Sequence, residues 1–77
     1  MELLWENLGR IVATIDGRKV VIPGETFLEH NPDYLIYAKY LTAWEDGVSI
    51  SSEQRREIIA AVIAEAQARG WRFEVEE

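Results

Sequence analysis

The chain has 77 residues, no cysteine and a formal charge of −6 at pH 7. With 48% hydrophobic and 29% charged residues it has the composition of one small globular domain over residues 1–77, which excludes a two-domain enzyme. The missing cysteines exclude disulfides, a thiolate zinc site and a thiol nucleophile and fit a reducing cytoplasm, while the acidic balance disfavours nucleic acid or an anionic membrane as partner and favours a basic protein.

Along the chain, Met1 to Arg10 carries Glu2 and Glu6 where a secretory leader would carry Lys or Arg. Its apolar run Leu3-Leu4-Trp5 is too short for a leader, so the chain reads as mature. No apolar run approaches the roughly 20 residues needed to cross a bilayer. Arg10 to Asp16 and Arg18 to Ile22 are rich in β-branched residues around Asp16-Gly17, the pair that suits the two positive φ angles of a type I′ turn. This predicts a hairpin with Ile15 opposite Arg18, Ala13 opposite Val20 and Ile11 opposite Ile22, an apolar face. The other face carries Arg10, Thr14 and Lys19 with Val12 and Val21, and is expected to be partly solvated or covered near its middle. Pro23-Gly24 ends the second strand, and Glu25 to Leu28 is a candidate third. Tyr34 to Leu41 admits two readings: a helix begun by Asn31-Pro32, or a strand favoured by three tyrosines, an Ile and two leucines. Glu45-Asp46-Gly47 is a turn.

Ser51 and Gln54 form a capping box for a helix whose apolar face is Ile59, Val62, Ile63 and Ala66 with Ile58 beside it. Glu65 and Arg69 are an i,i+4 pair in the favourable order, and Gly70 supplies the left-handed residue that ends the helix. Trp71, Phe73 and Val75 then alternate with Arg72, Glu74 and Glu76, which predicts a strand with one buried and one wet face. The fold class is therefore α+β: an antiparallel sheet of about four to five strands with one helix from the C-terminal half on one face, in the order β-β-(β)-β-α-β. The sheet face away from the helix is solvated, dimerised or reserved for a partner.

Catalytic signatures are absent. His30 is the only histidine, no HExxH or HxH spacing exists, and the glycines are isolated rather than gathered into a phosphate loop, so no metal, cofactor or catalytic residue is assigned. An enzyme built on Glu29, His30 and Asp33 would need a cleft to desolvate a carboxylate. The aromatic residues say more. Trp71 and Phe73 are expected in the core, Trp44 either in the core or at an interface, and at least one tyrosine is expected at the surface. Tyr and Trp beside carboxylates make the composition of a hot spot for a basic partner.

The chain resembles the small immunity proteins of bacterial polymorphic toxin systems, in particular the immunity protein 74 family. The resemblance covers nearly the whole length. It rests on Ile15-Asp16-Gly17-Arg18-Lys19-Val20 leading to Gly24-Glu25, then Tyr34-Leu35-Ile36-Tyr37, Tyr40 and Leu41, Trp44-Glu45, and Ile50-Ser51 opening a helix with Ile58-Ile59, Val62 and Ile63. It implies a binder that neutralises a toxin encoded beside it, with no cofactor and no turnover. The expected function is thus a cytoplasmic immunity protein that binds a cognate, basic toxin domain, with Trp44, Glu45, Asp46, Tyr37, Tyr40 and Glu29 as contacts. The alternative is a homodimeric regulatory or scaffold module that uses the open sheet face or an edge strand.

Overall fold

The Asp16-Gly17 hairpin forms with its expected register in a computed structural model that describes residues 1–29 and 31–77. Asp16 and Gly17 take φ values of 51° and 79°, which allows the two-residue loop to follow the twist of its strands. The strands it joins are Arg10–Ile15 (β2) and Arg18–Ile22 (β3), and a further strand, Glu2–Asn7 (β1), pairs antiparallel with β2. Leu3, Ala13 and Val20 form one cross-strand row on the inner face, and Trp5, Ile11 and Ile22 form the next. On the outer face Leu4, Val12 and Val21 line up; Val12 in the middle is only 5% exposed while Leu4 at the edge is 57% exposed. The expected order has no strand before Arg10. β1 was hidden because its outward positions, Glu2, Leu4 and Glu6, include a leucine that breaks the alternation.

Pro23 carries the chain from this sheet into another. It has no N–H to donate, and its carbonyl accepts from the Tyr37 N–H at 2.8 Å. Beyond it run Gly24–Thr26 (β4), Tyr34–Tyr37 (β5) and, after the helix, Phe73–Glu76 (β6). The strands thus form two three-stranded sheets, β1-β2-β3 and β4-β5-β6. A Cβ on Gly24 would overlap the Leu35 carbonyl oxygen and lie 2.6 Å from the Tyr34 ring, so glycine is required there by close approach. Tyr34 to Leu41 resolves as strand only to Tyr37; Ala38–Tyr40 is a 3-10 turn.

Helix α1, Ser52–Ala68, opens with the expected box: Ser51 Oγ accepts from the Gln54 N–H at 3.1 Å, and Gln54 Oε1 accepts from the Ser51 N–H at 3.0 Å. It closes with Gly70 at φ +80°, Trp71 N–H on Ala66 O and Gly70 N–H on Gln67 O, a Schellman ending. Ile58, Val62 and Ala66 are its buried stripe, while Ile59 and Ile63 flank the core, a rotation of about one residue from the expected face. At 17 residues the helix is about 25 Å long. It brings the chain back to the start of β5, so β6 pairs with β5 in parallel. The fold is α+β with the helix before the last strand, as expected, but the strands divide between two sheets and this one pair departs from an all-antiparallel arrangement.

One core joins both sheets and the helix: Leu3, Ile11, Val20 and Ile22 meet Tyr34, Ile36, Phe73 and Val62. Trp5 stands edge-on to Tyr34, Trp71 and Phe73 with ring centroids 5.7, 5.8 and 6.0 Å away.

Candidate functional site

Alternation along β5 sends its tyrosines to opposite faces. Tyr34 is fully buried and donates to the Ile22 carbonyl at 2.6 Å, tying the second sheet to the first. Burial is the main reason its phenol is pushed up to about 12, with Tyr37 adding to the shift. Tyr37 faces outward and donates to Glu25 Oε2 at 2.8 Å. That bond raises its pKa first, helped by desolvation and by the fields of Glu25, Glu76 and Tyr40. The Tyr40 ring stands edge-on to Tyr37 at 6.3 Å, is 62% exposed, and has Lys39 Nζ 5.2 Å from its centroid. Tyr37 and Tyr40 are therefore neighbours because the strand gives way to a 3-10 turn between them.

Trp44 resolves as core. It is 8% exposed, and its Nε1 is buried with no acceptor among the described residues. The Arg18 guanidinium lies 4.1 Å from its ring centroid. The loop beyond is fastened to the hairpin by Glu45 N–H on Lys19 O at 2.9 Å and closed by Gly47 N–H on Trp44 O at 2.9 Å. Asp46 Oδ1 accepts from the Val48 N–H at 3.0 Å, and its other oxygen lies 3.8 Å from Arg18. Glu45 and Asp46 are exposed beside the hairpin tip, where they line one depression with Gly17, Arg18, Lys19 and Trp44.

Glu29 is exposed in the loop between β4 and β5, at the opposite end of β5 from Tyr37. The six expected contacts therefore fall into three places: the hairpin tip, the end of β5 and the far loop. His30, named with Glu29 and Asp33 for an enzyme, lies outside the described residues. Asp33 anchors the loop to the chain entering β6, where its Oδ2 accepts from the Arg72 N–H at 2.8 Å. No group of three or more acidic or histidine side chains that could hold a metal occurs among the described residues, and no described helix is long and apolar enough to cross a membrane.

One feature escaped the sequence reading, and a second was expected only in outline, as an uncovered sheet face. A groove of about 660 Å³ is lined by Trp5, Asn7, Leu8, Thr26, Asp33 and Trp71, and Thr26 Oγ1 donates across it to the Leu8 carbonyl. The second is the outward face of the β4-β5-β6 sheet, where Glu25, Leu35 and Glu74 form one row and Tyr37 and Glu76 the next. The alternation of Glu74 and Glu76 signalled a wet face, but nothing local placed it beside Tyr37.

Comparison with known families decides what kind of protein carries this surface. Residues 8–76 match the model of the family described as immunity protein 74. The chain belongs to the immunity protein 74 family. No curated protein and no solved structure matches it. The match with the immunity protein 74 family starts at Leu8, so β1 precedes it, while the tyrosine pair, the Trp44 loop, α1 and the whole of β6 fall inside.

Proposed function

We propose that the chain is a cytoplasmic immunity protein that binds and neutralises a cognate, basic toxin domain by protein-protein contact, without turnover. Membership of the immunity protein 74 family is the observation that carries this reading. The proposed contacts are Tyr37, Tyr40, Glu45 and Asp46, with Trp44 supporting their loop and Glu29 extending the surface at the other end of β5. Exposed Tyr40 beside half-buried Tyr37 offers rigid aromatic area at low entropic cost, and the net charge of −6 speeds encounter with a basic partner. The lack of cysteine fits the reducing compartment.

The test is co-expression with the toxin domain encoded beside this gene, scored by host survival and by affinity capture of the pair. Survival with a stable complex supports the reading. Toxicity that persists although the folded chain is present removes it, and a concentration-dependent dimer in sedimentation would then favour the homodimeric module. Pairing of two chains through the β1 edge meets one obstacle: Arg69 Nη1 already donates to the Leu3 carbonyl at 3.0 Å.

A further inference from the structure

The β4-β5-β6 sheet has one face on the core and one over which no element packs among the described residues. Tyr34, Ile36 and Phe73 point inward to Ile58, Val62 and Ala66 of the helix, so α1 covers that side only. The outward rows are Glu25-Leu35-Glu74 and Tyr37-Glu76. Leu35 and Tyr37 are half-buried in the central strand, and Glu25, Glu74 and Glu76 are exposed on the strands to either side. With neighbouring strands roughly 4.8 Å apart, the backbones of β4 and β6 run about 10 Å from one another on either side of an apolar, aromatic centre.

The charges around this face are unbalanced. Glu25 accepts from the Tyr37 hydroxyl, a neutral donor. Glu74 has Arg72 at 3.3 Å, at one end of the face. Glu76 has no ion-pair partner among the described residues, and Lys39 lies beyond it over Tyr40. Three carboxylates thus frame Leu35 and Tyr37 against one paired arginine just before β6.

We propose that this face is the docking surface for a basic protein segment, one that lays an apolar or aromatic side chain on Leu35 and Tyr37 and reaches Glu25, Glu74 and Glu76 with Lys or Arg. The proposal rests on the toxin-binding reading and deepens it by adding Glu25, Leu35, Glu74 and Glu76 to the contact Tyr37 given above. A central aromatic with a charged rim is the arrangement in which rim charges set encounter rate and the centre sets residence time.

The experiment compares the wild-type chain with Glu74→Lys/Glu76→Lys, the milder Glu76→Gln, and Tyr37→Ala. Binding to the toxin domain encoded beside the gene is measured at low and high salt, and thermal unfolding is recorded for each variant. The double charge reversal is expected to slow association by about 10-fold or more and flatten its salt dependence, with Glu76→Gln showing the same trend to a smaller degree. Tyr37→Ala is expected to speed dissociation. If the wild type binds and all three variants bind equally well, the face is overturned while the toxin reading stands. If the wild type does not bind the toxin, that reading falls, and the face is judged by a synthetic peptide of alternating Lys and Leu. Amide shifts confined to Leu35, Tyr37, Glu74 and their strand neighbours would then support it, and absent or scattered shifts would overturn it.

Discussion

Tyr34 and Tyr37 lie three positions apart in the same four-residue strand, and they do opposite work. Tyr34 spends its hydroxyl on the Ile22 carbonyl in the core, where the bond and the ring together join two sheets. Tyr37 spends its hydroxyl on a carboxylate at the surface and leaves the ring beside Tyr40. The same side chain is structural where its oxygen meets backbone in a dry site, and available to a partner where it meets a charged group in water. The difference is one of face, set by the two-residue period of the strand.

That comparison can be broken most severely from its buried side. Trp44 belongs with Tyr34 rather than with the exposed residues, so Trp44→Ala is expected to cost about 3–5 kcal/mol, measured by denaturant unfolding. A loss below about 1 kcal/mol would return Trp44 to the surface set. Gly24→Ala is expected to cost about 3 kcal/mol, because the added carbon meets the Leu35 backbone and the Tyr34 ring and neither can yield cheaply. An unchanged unfolding midpoint would show that β4 and β5 are not so closely apposed.

Tyr34→Phe keeps the ring and removes its bond to the Ile22 carbonyl, at an expected cost of about 1–2 kcal/mol. It should also change the alkaline limb of stability. Because the folded phenol is raised from 10.0 to about 12, the folded chain retains a proton that the unfolded chain releases. The resulting stabilisation is complete below pH 10 and is lost as pH rises toward about 12. Spectrophotometric titration of the wild type should show a late phenol step that Tyr34→Phe removes. Tyr37→Phe is the smallest perturbation: the melting temperature should stay the same, and only toxin binding should weaken. A large fall in melting temperature would mean that the outward tyrosine is structural after all.

Much of this architecture was legible in the residues because its signals are local. Asp16-Gly17 needs only its own two φ angles, Ser51 and Gln54 need only one helical turn, and Gly70 needs only the turn before it. The alternation of Trp71 to Glu76 likewise reported a strand without reference to its neighbours. The candidate site was legible in type but not in place. Tyr37 and Tyr40 reach the surface as expected of at least one tyrosine, whereas Trp44 is buried because Arg18 and the hairpin close over its ring. Nothing in a single window says which neighbour will cover an indole.

The sequence by itself determined the hairpin, the helix with both its ends, and the two-faced last strand, since each depends on contacts within a few residues and their backbone preferences. Tertiary structure decided the rest: the addition of β1, the division into two sheets at Pro23, the parallel pairing of β6 with β5, and the meeting of Glu25, Tyr37 and Glu76 on one face. Those outcomes join residues as many as 51 positions apart, such as Glu25 and Glu76. They are fixed only when the helix has buried Ile58, Val62 and Ala66 and closed the one core that both sheets share.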